Sequence, residues 1–350
     1  MDFQILQLIR ILGISVISFL TALGLTPLAF KLLNKYKFNK QIRASVHAPI
    51  YSQLHQKKAG TPTGGGIIIW GTVIGLAIIF FFFSLAFNHI FSYLDFINRA
   101  QTYLPLAAML IAAGFGLFDD LLGIMRIGPK GGGLAVRNKI LVYLVLSLLG
   151  ALWFYFRLDW NTINIPLLGS VVIGWWYIPF FMFIITASAF SLNETDGLDG
   201  LAGGVSLLAF TALTVVAFVL GRYHLAAFSG ATIGALLAFL WFNVHPAKFF
   251  MGDTGSMALG ITLGTVALLT NTALLLPFFL FIPVVESLSV IIQMTSKKLF
   301  KKKIFISTPI HHHFEAIGWK ESQIVMRFWI ISAIFTSLGL VLFFLDHFLK

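Results

Sequence analysis

Cysteine is absent from this 350-residue chain, which removes disulfides, thiolate metal sites and thiol nucleophiles from its chemistry. Charge is also scarce. Only 11% of residues are Asp, Glu, Lys or Arg, against about 25% in soluble globular proteins. Acidic residues are the scarcer sign, 13 against 24 basic ones. With 58% apolar residues, 37 Phe and a mean hydropathy of +0.92, there is too little polar surface for a water-soluble fold. The chain reads as an integral membrane protein. Its net charge of +11 would suit nucleic acid in a soluble protein. In a membrane protein, basic residues gather in cytoplasmic loops, so no nucleic-acid partner is expected. A basic n-region is missing after Met1-Asp2, and the apolar stretch from Ile5 to Leu33 is too long for a signal-peptide core. It reads as a first spanning helix.

A spanning helix needs about 20 mostly apolar residues. Ten segments qualify: 5–31, 66–87, 103–122, 139–156, 173–191, 202–220, 225–242, 257–272, 274–295 and 325–347. The expected fold is an all-α polytopic membrane protein, one integral-membrane domain over 1–350, with no soluble domain and no internal repeat. One set of loops holds Lys35, Lys37, Lys57, Lys58, Arg126, Lys130, Arg137, Lys248, the run Lys297 to Lys303, and Lys320. The other set holds only Arg99, Arg157 and Arg222. That asymmetry places the first set in the cytoplasm and both termini outside. The external loop 157–172 is expected to form a short strand pair. Pro277 and Pro283, with Glu286 in the same apolar stretch, predict a bend in the ninth span that helps form a groove for lipid.

The polar motifs share one side. TPTGGG (61–66), FDD (118–120), NETDGLDGL (193–201), NVHPAKFFMGDTGS (243–256) and TPIHHHFE (308–315) all fall at cytoplasmic helix ends. A transporter would place ionisable residues at mid-membrane, where this chain has few. Each motif also has a plain structural reading. Asp119 and Asp120 can simply end a helix in water, yet they sit at its C-terminal end, which repels anions. Two carboxylates there suit a hard cation such as Mg²⁺ beside phosphates, or a base or nucleophile. Asn193, Asp196 and Asp199 can form a turn. Asp253 can be a helix cap or a third acidic group near a phosphate. The glycines of TPTGGG can be linker or anion cradle, with Lys58 supplying charge. Three consecutive histidines cannot all ligate one metal from a regular helix, so diphosphate donors fit better. The run 297–303 is positive-inside anchoring and lipid-headgroup contact.

Taken in order, TPTGGG, FDD, NETDGLDGLAGG, FNVHPAKFFMGDTGS and TPIHHHFEAIGWKE resemble one family, the polyprenyl-phosphate N-acetylhexosamine-1-phosphate transferases. Within it the chain looks like the phospho-N-acetylmuramoyl-pentapeptide branch, over residues 42–331. The resemblance implies ten helices with outside termini and a bacterial cytoplasmic (inner) membrane location. It implies transfer of phospho-MurNAc-pentapeptide from UDP-MurNAc-pentapeptide to undecaprenyl phosphate, with Mg²⁺ as cofactor, giving lipid I and UMP for peptidoglycan synthesis. A homodimer is also implied. By motif position, Asp253 matches the family's metal-binding aspartate, and Asp119 and Asp120 its essential pair. Lys58, Asn193, Asp196, Asp199, Asn243 and Phe250 match its nucleotide and diphosphate site. His311, His312 and His313 match its triple histidine on the sugar-phosphate side, with His312 assigned to the catalytic group. The chain departs from the pattern at Gly64, where Met is usual, at Gly123, where Lys is usual, at Glu194, and in IRASVHAP (42–49). Lys130 or Lys139 is expected to stand in for the missing lysine. Two alternatives stay open: the same reaction with another substrate such as UDP-GlcNAc and, more remotely, a membrane transporter. The route, direct attack by the lipid phosphate or a covalent aspartyl intermediate, is also open.

Overall fold

The protein is described by a computed structural model covering residues 3–39, 58, 60–87, 90–129 and 132–349. It is mostly helical, 76%. The helices are α1 (Phe3–Lys35), α2 (Gly66–Ala86), α3 (Ile90–Leu94), α4 (Tyr103–Ile124), α5 (Val136–Arg157), α6 (Tyr177–Thr195), α7 (Leu201–Val219), α8 (Tyr223–Asn243), α9 (Asp253–Leu269), α10 (Leu276–Phe279), α11 (Phe281–Leu299), α12 (Ile310–Ala316) and α13 (Glu321–Phe348). Each of the ten expected segments is helical. Among the described residues, eight helices are long and apolar enough to cross a membrane, and α10 with α11 forms a ninth, broken span.

The remaining segment, α9, has 17 residues and is about 25 Å long, shorter than the roughly 30 Å hydrocarbon core. Lipid does not set its length, because every residue from Thr254 to Leu269 is buried. It is the central post, packed by α4, α6 and α2. The outer helices carry the apolar side chains that meet lipid: Leu12, Val16 and Leu20 on α1 are each more than half exposed.

Glycine sets how close the posts stand. A Cβ on Gly66 would lie 2.2 Å from the Cα of Gly255, and one on Gly116 would lie 2.2 Å from the Asp253 carbonyl oxygen. Helices α2, α4 and α9 therefore cross with their backbones in contact, at the end where Asp119, Asp120 and Asp253 lie.

The ninth span breaks at Leu280, with α10 and α11 at 87°. Pro283 has no N–H for the Phe279 carbonyl, and its ring would strike that carbonyl in a continuous helix. The expected bend is thus present. An apolar cavity of about 270 Å³ lies elsewhere, between α4, α5, α6 and α9, lined by Leu104, Ile111, Leu149, Trp153, Phe181 and Ile261. At the end of the bundle opposite the aspartates, β1 (Thr162–Ile165) and β2 (Gly169–Val172) pair antiparallel, Thr162 with Val172 and Ile165 with Gly169. This is the expected strand pair. It is tied to the end of α13 by Asn164 Nδ2, which donates to Asp346 (2.7 Å).

Candidate active site

The ends of α4, α5, α6 and α9 meet around one ammonium group. Lys139, in the first turn of α5, places Nζ 2.7 Å from Asp119 Oδ2 and also pairs with Asp253 Oδ2. The Leu134 N–H donates to the other Asp119 oxygen. Asn193, near the end of α6, donates from Nδ2 to Asp253 Oδ1 (2.6 Å) and to Ser256 Oγ (3.0 Å). Asp119 is buried, at 4% exposure, and two carboxylates, Asp119 and Asp253, share one lysine, so the cluster keeps an excess of negative charge.

Asp120 does a different job from its neighbour. Its oxygens accept the N–H groups of Asp253 and Thr254, each at 3.1 Å, and so satisfy the open N-terminus of α9, which favours an anion. Asp196 accepts the Gly252 N–H (3.1 Å) from the other side. Gly252 has φ +75° and no room for a side chain, since a Cβ would sit 2.6 Å from Asp120 Oδ2. The turn FMGD thus needs glycine both for its backbone and for the carboxylate beside it. The TPTGGG segment runs alongside: the N–H groups of Gly65 and Gly66 donate to the carbonyls of Phe250 and Met251, both at 2.8 Å. Their N–H groups are used by protein.

A second cluster gathers Lys58, Asp199, Asn243 and Phe250. Lys58 Nζ lies 2.7 Å from Asp199 Oδ1 and 5.7 Å above the Phe250 ring. Asn243 accepts the Gly200 N–H (3.0 Å) and donates to the Phe249 carbonyl (2.8 Å), clamping two motif loops together. Burial raises the Asp199 pKa, but the Lys58 ammonium, the Ala247 N–H and His245 outweigh it and hold the carboxyl below its usual value. Two members of this cluster escaped the sequence reading, Glu321 at the start of α13 and His245 in the NVHPAKFF loop. Asp199, His245 and Glu321 lie close enough to ligate a metal ion, but the Lys58 ammonium fills the place between the two carboxylates.

The triple histidine is on α12, and its three rings point to different partners. His311 is fully buried, with Nδ1 3.0 Å from Glu286 Oε1, within ion-pair range though off the hydrogen-bond direction. Burial lowers the His311 pKa, but Glu286, then Glu315 and Glu194, raise it above the usual value. His311 also fills the space left by Gly197, where a Cβ would lie 2.3 Å from Nε2. His312 pairs with Glu315 (2.6 Å) and is 8% exposed. His313 Nδ1 accepts the Ile306 N–H (3.3 Å). Of the two histidines expected to contact substrate, His311 and His313, His311 is turned toward Glu286 and the NETDG loop. Lys57, Lys130 and the stretch 42–49 lie outside the described residues. Gly123 has open space around it, and Lys139 lies between Asp119 and Asp253.

The Tyr143 hydroxyl, one turn beyond Lys139 on α5, is buried without a hydrogen bond and lies in the field of Asp253, Lys139 and Asp119. An orphaned donor beside an anionic cluster marks a place for a water, an ion or a ligand oxygen.

Comparison with known proteins agrees with the geometry. Residues 102–271 match the model of glycosyl transferase family 4. The chain is 42% identical over 326 residues to a phospho-N-acetylmuramoyl-pentapeptide-transferase of Clostridium perfringens (strain 13 / Type A), covering 91% of this chain and 94% of that one. The chain belongs to this family. Enzymes of the same name from Geobacillus thermodenitrificans (strain NG80-2) and Thermoanaerobacter sp. (strain X514) are 37% and 39% identical. These matches cover 93% of this chain, and 95% and 96% of the relatives. The aspartates of both clusters, Asp119, Asp120, Asp253 and Asp199, lie within residues 102–271, whereas Lys58 and Glu321 of the second cluster lie outside that range.

Proposed function

We propose that this chain transfers phospho-MurNAc-pentapeptide from UDP-MurNAc-pentapeptide to undecaprenyl phosphate, releasing UMP and forming lipid I for peptidoglycan synthesis. The reaction belongs at the cytoplasmic face of the bacterial inner membrane, with both termini outside. The observation that carries this reading is the centre where Asp119, Asp120, Asp253 and Lys139 converge from three spans of a chain in this family.

Transfer between two anions is mainly a problem of charge. Mg²⁺ fits the donor set: hard carboxylate oxygens with a surplus of negative charge, beside an orphaned buried hydroxyl at Tyr143. Asp253 would hold it, with Asp119 opposite across Lys139. When bound, the ion neutralises the diphosphate and the departing UMP. The chain's own groups do the rest. Lys139 holds Asp119 and Asp253 in register, which leaves a third N–H of its ammonium to donate to a phosphate oxygen. Asn193 fixes the Asp253 carboxylate. Asp120 anchors the start of α9, so that the Asp253 side chain points into the cluster.

The lipid phosphate supplies the nucleophile. An oxygen of undecaprenyl phosphate bonds to the β-phosphorus, and the bond from that phosphorus to the bridging oxygen breaks, leaving with UMP. A phosphate monoester has its second pKa near 6, so at pH 7 it is mostly dianionic and needs little help from a base. Both Asp120 oxygens are engaged by backbone N–H groups, and Asp119 is held by Leu134 and Lys139. Carboxylates so occupied are poor nucleophiles, which favours direct attack over a covalent aspartyl intermediate.

The test is UMP release by the detergent-purified protein with Mg²⁺ and undecaprenyl phosphate, supplied separately with UDP-MurNAc-pentapeptide and UDP-GlcNAc. Release from the muramoyl substrate alone, abolished by EDTA, is expected. Release from UDP-GlcNAc alone would move the chain to the related sugar-phosphate branch.

A further inference from the structure

We propose that Glu321 is a positioning residue of the nucleotide pocket, and that it acts by fixing the direction of the Lys58 ammonium. This rests on the reading above that Lys58, Asp199 and Phe250 receive the nucleotide end of the substrate.

Glu321 opens the last span, far in sequence from every other group it touches. Its Oε1 lies 2.5 Å from Lys58 Nζ and accepts the Asp199 N–H at 2.7 Å. Its Oε2 lies 3.4 Å from His245 Nδ1. Asp199 is similarly committed: Oδ1 to Lys58 at 2.7 Å, Oδ2 to His245 at 2.9 Å and to the Ala247 N–H at 3.1 Å. Two carboxylates therefore share one ammonium, and protein donors already occupy both Asp199 oxygens. A lysine ammonium carries three donors, and Asp199 and Glu321 take two of them. The third is aimed by that pair of bonds, beside the Phe250 ring 5.7 Å away.

Without Glu321, Lys58 would pivot about Asp199 alone, and the Asp199 N–H would lose its acceptor. Asp199 itself would remain bound by His245 and Ala247. The consequence falls on ligand binding, because Lys58 remains charged but loses its fixed direction. No atom of Glu321 needs to touch the substrate. α13 is also pinned to the same loop by Trp329, whose Nε1 donates to the Gly200 carbonyl at 3.2 Å. Its start is thus held in place independently of Glu321.

An acid in the first turn of a helix is also favoured by the helix dipole, and that bland role makes a different prediction. Glu321→Asp keeps the charge at the helix start and shortens the reach to Lys58 by one methylene. If Glu321 serves only the helix, Glu321→Asp keeps the wild-type KM. If it positions Lys58, both Glu321→Asp and Glu321→Gln raise the KM for UDP-MurNAc-pentapeptide about tenfold, the scale of one hydrogen bond to a charged group. In that case kcat stays within about twofold, and the KM for undecaprenyl phosphate does not move.

The full-length protein in detergent serves for the test, with UMP titration as a second readout that needs no turnover. The expected result is weaker UMP binding by both variants, with unchanged melting temperature for Glu321→Asp. Glu321→Gln should add little to Lys58→Ala in a double-mutant cycle. Wild-type UMP affinity in Glu321→Asp, or full additivity with Lys58→Ala, would overturn the proposal while leaving the nucleotide reading intact. Failure of the wild-type protein to bind UMP at all would remove that reading and the proposal with it.

Discussion

At the scale of single residues, adjacent carboxylates have separate duties. Asp119 faces Lys139 and Asp253, whereas Asp120 accepts the first N–H groups of α9. Asp120→Ala removes both acceptors and should cost about 1–3 kcal/mol as well as activity. Asp119→Asn should cost activity with a smaller drop in melting temperature. Thermal unfolding in detergent, run beside the UMP assay, separates the two. The pH dependence can be read from two groups. Asp199 has its pKa depressed in the fold. Its stabilisation is therefore complete above the usual aspartate value of 3.8 and is lost as pH falls through the lower folded value. His311 has its pKa raised by Glu286. Its contribution is complete below 6.5 and is lost as pH rises through the higher folded value. Asp199→Asn should flatten the acid limb of a melting-temperature profile and leave the alkaline limb unchanged; an unaltered acid limb would refute the assignment.

At the scale of elements, the site depends on how closely helices approach. The spans themselves were legible, since apolar runs and their polar ends mark helices without reference to neighbours. Boundaries were less so. The eighth span was expected from residue 257, because GDTGS reads as loop, yet Asp253 is the first helical residue of α9 and Asp120 completes that helix end from another span. The bend of the ninth span was legible from Pro277 and Pro283 because proline acts locally, though not its place at Leu280. Glu321 was not, because an acid at a helix start looks ordinary until Lys58 is seen beside it. The glycines of TPTGGG can be linker or anion cradle from sequence alone; in the fold the Gly65 and Gly66 N–H groups pair with the carbonyls of Phe250 and Met251. Gly116 gives the sharpest test. Gly116→Ala adds one carbon 2.2 Å from the Asp253 carbonyl and should force α4 from α9, costing about 1–3 kcal/mol. UMP release should fall further than stability does, and retained activity would show that the crossing tolerates a wider spacing.

At the scale of the whole molecule, the motif-bearing helix ends collect at one end of the bundle and the β1–β2 hairpin lies at the other. The charge asymmetry of the loops is the ground for proposing that the motif end faces the cytoplasm. The lack of cysteine makes this directly testable. Leu168, 81% exposed at the hairpin tip, should when changed to Cys react with a membrane-impermeant thiol reagent in intact cells. Lys302→Cys should react only after permeabilisation, and the reverse pattern would invert the topology. Passage of the phospho-sugar through the aspartate centre is tested by following both products at once. UDP-MurNAc-pentapeptide labelled in the sugar-peptide part is incubated with Mg²⁺, undecaprenyl phosphate and the purified protein, wild type or Asp253→Asn. Label in the extracted lipid and UMP in water are then counted together. Equal amounts of lipid label and UMP from the wild type, and neither from a folded Asp253→Asn variant, are expected. UMP without lipid label, or undiminished transfer by Asp253→Asn, would contradict it.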